Sequence, residues 1–271
     1  MTGAWWPLPR RERRLPGRPR CLPGPARAAT APGRTPGLPL RTGRALLAQW
    51  HRVAGPTWAS LCHRRLAAVP LTAVSTVLVV VCHALATTDA GSRLVWALGG
   101  VRADVPLWLV LPRLPLSLFA PAPGLPWWGA LAQVVVIFGV AECVLGAVRT
   151  AAVSLVVTAA ATLFARFVLT LAPHHPLAVS PDEALLADTG PSAAVVGLLI
   201  CLGWTCRAPV LLVGTVLAFS LETVVTSTLS SRAHLGGIAA SLVFAAVACR
   251  SPARAAAPPP APAPAPAGRD G

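Results

Sequence analysis

From Leu66 onward the chain is a succession of long apolar runs separated by short polar breaks. Crossing the hydrocarbon of a bilayer takes about 20 mostly apolar residues in helical form. Runs of that kind lie at residues 66–86, 127–148, 150–172, 189–206, 208–229 and 233–249. The pattern predicts an all-α, polytopic membrane helical bundle with about six transmembrane helices spread over 66–249. Residues 87–124 are also apolar, but the stretch VPLWLVLPRLPLSLFAPAPGLPWW is broken repeatedly by proline. Proline interrupts helices, and tryptophan favours the headgroup region. This part is expected to form an external loop at the interface, with short helical pieces.

The flanks read differently. Residues 1–65 form a basic, Arg/Pro-rich head, and its first 45 residues show no helical periodicity. Such composition cannot bury a core, so the head is expected to be mostly disordered. Residues 250–271 form a Pro/Ala-rich tail of polyproline II character. It too is expected to be disordered.

Charge adds orientation to this picture. Of the 271 residues 12% are charged, and mean hydropathy is +0.65. Thirteen Arg and a single acid fall in residues 1–65, against ten Arg and eight acids in the rest. The run Arg10-Arg11-Glu12-Arg13-Arg14 is followed by no apolar stretch of about 7–15 residues, which argues against a cleaved signal peptide. A basic head of this kind suits an anionic lipid surface better than specific nucleic-acid binding. With the head inside, eighteen Arg lie on the inner side and four on the outer. The positive-inside rule then places the protein in the cell membrane, multi-pass, with both termini cytoplasmic.

Seven Cys are scattered without a CxxC pair or a Cys–His cluster. No disulfide framework, metal site or cofactor is expected. Tyr, Lys and Asn are absent, so no site here can use an Asn side chain. Glu142, Arg166 and Glu222 fall within spans, where charge is costly and faces the interior; structural hydrogen bonds are expected for them. Gln133 is a candidate polar partner inside the bundle. Asp188 or Thr189 is expected to cap the fourth span. His174 and His175 are expected in a solvated external loop.

Two spans open unusually. The fourth begins Asp188-Thr189-Gly190-Pro191-Ser192-Ala193-Ala194, and the sixth begins Arg232-Ala233-His234-Leu235-Gly236-Gly237. In a six-span, inside-start topology both run from outside to inside, so Ser192 and His234 share one outer level. Ala193 and Gly197 on the fourth span, and Gly237 and Ser241 on the sixth, recur at four-residue spacing. Small faces let membrane helices approach closely. A Ser hydroxyl becomes a nucleophile when a nearby base takes its proton, and His234 is the candidate base for Ser192. The start of the fourth helix also offers backbone N–H groups to an oxyanion.

A Gly-x-Ser opening one span, followed by an Ala-His-Leu-Gly-Gly span, resembles the rhomboid family of intramembrane serine proteases. Glu142–Gly146 looks like that family's Glu-x-x-x-Gly segment between its second and third spans. The similarity covers residues 125–249 and extends to the divergent rhomboid-like membrane proteins of high-GC bacteria. The resemblance implies a Ser–His dyad of Ser192 and His234, a transmembrane protein as substrate or client, and no metal or cofactor. The chain departs from the pattern in two places. The family's His and Asn early in the second span map near Pro126 and Ala130, and its GxSG reads GPSA here. Two other readings stay open: a catalytically inactive rhomboid-like protein that binds membrane partners, and a small transporter built around Glu142, Arg166 and Glu222.

Overall fold

The computed structural model describes residues 38–248 apart from 122–125, 173, 186–187 and 227. The disorder expected of residues 1–37 and of the tail from 250 lies outside the described residues. Within them the fold is helical throughout, as expected. The helices are α1 (Leu38–Arg64), α2 (Pro70–Ala86), α3 (Asp89–Gly99), α4 (Leu107–Ser117), α5 (Trp127–Leu145), α6 (Ala147–Leu169), α7 (Ser192–Thr205), α8 (Pro209–Thr226) and α9 (Leu229–Ala248).

The second half of the head departs from its expected disorder. It forms α1, even across Pro56. Its support is tertiary: the Arg52 guanidinium donates to the Arg207 carbonyl (2.8 Å), and Gln49 Oε1 accepts from the Val210 amide (2.9 Å). Those groups sit at the end of α7 and the start of α8, where backbone partners are missing. α1 packs on the end of α5, and a wide apolar cavity of about 880 Å³ lies between it and the bundle, lined among others by Trp50, Trp58, Val140, Leu199 and Leu211. After α1 the chain bends by 61° into α2, through Arg65 at φ 51°.

α7 is the centre of the bundle. Nine of its fourteen residues are buried, including Val196, Leu198, Ile200 and Leu202. A helix that is apolar all round belongs in an interior, and α6, α8 and α9 pack around this one. The close approach predicted from small residues is present. A Cβ at Gly197 would come within 2.6 Å of Val157 Cγ2 and 3.0 Å of Ser241 Oγ, and one at Gly236 within 2.3 Å of Phe164 Cβ. Glycine at both positions lets α9 press against α6 and α7 together.

α5 and α6 are joined at Gly146, whose φ of 85° and ψ of 156° suit glycine alone. A π-turn at Val134–Phe138 interrupts α5. Segment 87–121 contributes α3 and α4, neither long enough to cross a bilayer.

Among the described residues, four helices are long and apolar enough to cross a membrane: α5, α6, α8 and α9. The bent α1–α2 pair counts as a fifth if it is one span. The fourth expected run yields α7, with only 14 residues. Large apolar side chains cover the outer faces of these helices, as with Val135, Val156, Leu217, Val224 and Val243. An apolar belt of this extent suits lipid rather than water. Buried hydroxyls within the bundle mostly bond back to their own helix: Thr150 to Gly146 O, Ser154 to Thr150 O and Ser241 to Gly237 O.

Candidate functional site

The site forms where the first turns of α7 and α9 meet. Gly190, at φ 108°, turns the chain into α7, and Pro191 is the last residue before it. Ser192 is the first helical residue. From α9, His234 projects toward it, with His234 Nε2 3.3 Å from Ser192 Oγ. The two residues singled out from sequence are therefore neighbours, 42 positions apart in the chain.

On its other side His234 meets a residue whose role the sequence did not disclose. Nδ1 lies 3.1 Å from Glu222 Oε2 on α8. The Phe219 ring stands edge-on to the imidazole, with centroids 5.1 Å apart at 82°. A carboxylate accepts only, so Nδ1 carries the proton toward Glu222 and Nε2 is left with its lone pair toward Ser192. The order Glu222–His234–Ser192 is that of an acid, a base and a nucleophile. The His234 side chain is 5% exposed and that of Glu222 39%. His234 is thus sealed, while Glu222 stands at the edge of the bundle.

The wall around Ser192 is built from four elements. α4 gives Ser117, α6 gives Thr158 and Thr162, the loop before α7 gives Asp188 and Gly190, and α9 gives Ser230 and Ala233. They enclose a cavity of about 10 Å³, room for a single water-sized group. The loop is pinned from several sides. Gly190 N donates to Ser117 O (2.8 Å) and Asp188 N to Val101 O (2.9 Å). The Thr189 hydroxyl donates to Pro121 O (2.7 Å) and that of Ser230 to Asp188 Oδ1 (3.0 Å). Glu183 accepts from the Leu229 amide, and Arg232 donates to the Ala178 carbonyl.

Asp188 and Thr189 therefore do not cap α7, contrary to expectation. No side chain caps its N-terminus, because the helix starts three residues beyond Thr189 and both side chains are engaged elsewhere. Burial pushes the Asp188 carboxyl above its usual range, partly opposed by the Ser230 hydrogen bond and the nearby His234.

The other in-span charges have local structural partners, as expected. Glu142 is buried and accepts from the Leu71 amide (2.8 Å), the Thr72 amide (2.7 Å) and the Thr72 hydroxyl (2.8 Å). It caps the start of α2 from the end of α5. Arg166 donates to the carbonyls of Arg102 and Val105. Glu142, Arg166 and Glu222 thus have three separate sets of local hydrogen-bond partners. Gln133 is not the polar partner expected of it; its Oε1 is buried without one. His175 lies exposed in the loop and its Nδ1 accepts from the Leu177 amide. Among the described residues no three His, Cys, Asp or Glu side chains gather as metal ligands.

No family model, curated protein or solved structure matches this chain.

Proposed function

We propose that this chain is a rhomboid-like intramembrane serine protease of the cell membrane. The observation that carries the reading is the Glu222–His234–Ser192 chain of contacts, drawn from three helices at one end of the bundle. In this reading the spans are six: α2, α5, α6, the short α7, α8 and α9. Both termini are cytoplasmic, and the Ser192 end of the bundle faces outward. The substrate is a transmembrane protein cut near the outer face.

The chemistry follows from the contacts. Ser192 Oγ attacks the scissile carbonyl as its proton moves to His234 Nε2. Glu222 keeps the imidazole oriented and stabilises the imidazolium that results. His234 then returns the proton to the leaving amine, and water later releases the acyl group by the same route.

The test is cleavage of a helix-destabilised transmembrane reporter by the purified protein in proteoliposomes. Turnover lost on Ser192→Ala supports the protease. The closed, water-sized cavity and the missing His/Asn pair favour a second reading, a non-catalytic rhomboid-like protein that binds membrane partners. Retention of a membrane partner that is indifferent to Ser192→Ala, with no reporter turnover by the unaltered protein, would establish that one instead.

Glu222 gives a separate prediction. Glu222→Gln removes the charge behind the base and keeps the side chain's size. We expect kcat to fall about 10²-fold, the low end for general acid–base assistance, since the carboxylate is partly exposed. An unchanged rate would remove Glu222 from the mechanism.

A further inference from the structure

The chemistry above creates an oxyanion, and stabilising it needs preorganised donors. The His and Asn donors that the rhomboid resemblance implies are missing here, so any such donors belong to the wall of the Ser192 cavity itself. Most of its hydroxyls are committed. Ser117 donates to Leu114 O (2.8 Å), Ser230 to Asp188, and Ser192 faces His234. Thr158 differs. It lies on α6, lines the same cavity, and is 8% exposed. Its hydroxyl is buried without a hydrogen-bond partner. One and two turns earlier on the same face, Ser154 and Thr150 bond back to the carbonyls of Thr150 (2.8 Å) and Gly146 (3.0 Å). Thr158 does not follow them. A buried, unsatisfied hydroxyl is uncommon in proteins and calls for an explanation.

A second set of donors belongs to the first turn of α7, whose Ser192 and Ala193 line the same cavity. The first hydrogen bond of α7 runs from Val195 N to Pro191 O (2.8 Å). The amides of Ser192, Ala193 and Ala194 precede it and have no acceptor within their helix. They also carry the positive end of the helix dipole.

We propose that the Thr158 hydroxyl, together with the amides at the start of α7, forms the oxyanion hole of this site. Thr158 is a catalytic residue in this assignment, which rests on the serine-protease reading. As Ser192 Oγ bonds to the carbonyl carbon, its proton passes to His234 Nε2 and the C=O π pair moves onto the carbonyl oxygen. That oxygen accepts from Thr158 Oγ1–H and from the α7 amides. When the intermediate collapses, the pair returns to reform C=O, and the C–N bond breaks as His234 delivers its proton to nitrogen. The hydroxyl is held without a resting partner so that it is free for the transition state.

The assignment separates activity from stability. Thr158→Val keeps the shape and removes an unsatisfied buried hydroxyl, so the thermal midpoint should hold or rise. The same change should lower kcat of the reporter about 10²-fold or more, the effect of losing one oxyanion donor, with KM little changed. Thr158→Ser retains a hydroxyl and should restore most of the rate. Wild-type kcat in Thr158→Val, with cleavage still dependent on Ser192, would overturn the assignment and leave the protease intact. A rate loss accompanied by a lower midpoint in both variants would also overturn it, as the mark of a packing role. Reporter cleavage that survives Ser192→Ala would overturn both readings together.

Discussion

Ser192→Ala is expected to lower reporter cleavage by about 10⁴–10⁶-fold, since removing a nucleophile leaves only binding and the oxyanion donors. His234→Ala should do nearly the same, because Ser192 then has no base. The double variant should be no worse than either single one: residues that act as a unit are strongly non-additive. The fold should survive. The Ser192 hydroxyl has one side-chain partner, His234 at 3.3 Å, and a neutral hydrogen bond contributes about 1 kcal/mol. The thermal midpoint of Ser192→Ala in detergent is thus expected to stay close to wild type while cleavage and fluorophosphonate labelling vanish. Labelling that persists in Ser192→Ala would place the reactive group elsewhere.

Glu142→Ala should have the largest effect on stability. Its carboxylate receives three hydrogen bonds, from two amides and a hydroxyl at the start of α2. Those amides are among the first of a helix and have no partner of their own, and Pro70 begins the helix without a side-chain cap. Hydrogen bonds to charged groups contribute about 1.5–3 kcal/mol each, and orphaned buried donors add their own penalty. Allowing for relaxation of the chain, the net loss should be about 3 kcal/mol or more, a large fraction of an ordinary protein's stability. Glu142→Gln keeps an acceptor but gives up the charge, and should fall between. A Glu142→Ala midpoint within about a degree of wild type would mean that α2 is anchored some other way.

The contrast between Glu142 and Glu222 shows how far the sequence carries. Both are lone acids in apolar runs, and both were expected to make structural hydrogen bonds. Nothing local separates a helix cap from the partner of the proposed base His234; the difference is which element lies opposite. Ser192 and His234 were legible because each opens a span amid small residues. Glu222 lies near the end of its helix, twelve residues before His234. Its signal was available: it is the acid nearest in sequence to that histidine, and the turn between α8 and α9 is short. Helix α1 was illegible for another reason. Its anchors, Gln49 and Arg52, bind backbone groups more than 150 residues away. The span count was blurred at α7, where Gly190 and Pro191 delay the helix although hydropathy runs on unbroken.

The cavity at Ser192 has room for about one water, while a scissile peptide with its flanking residues is many times larger. In this conformation the site is therefore shut to any polypeptide, although the groups proposed to react are already in place. Admission requires the pinned loop before α7, or a neighbouring wall, to move first. Only the displaced fraction of molecules can bind, and apparent affinity is weakened by that fraction. If one molecule in about a thousand is open, binding loses about 4 kcal/mol before any contact is made. Slow turnover and weak apparent affinity would then reflect the population of a rare state, not poor chemistry.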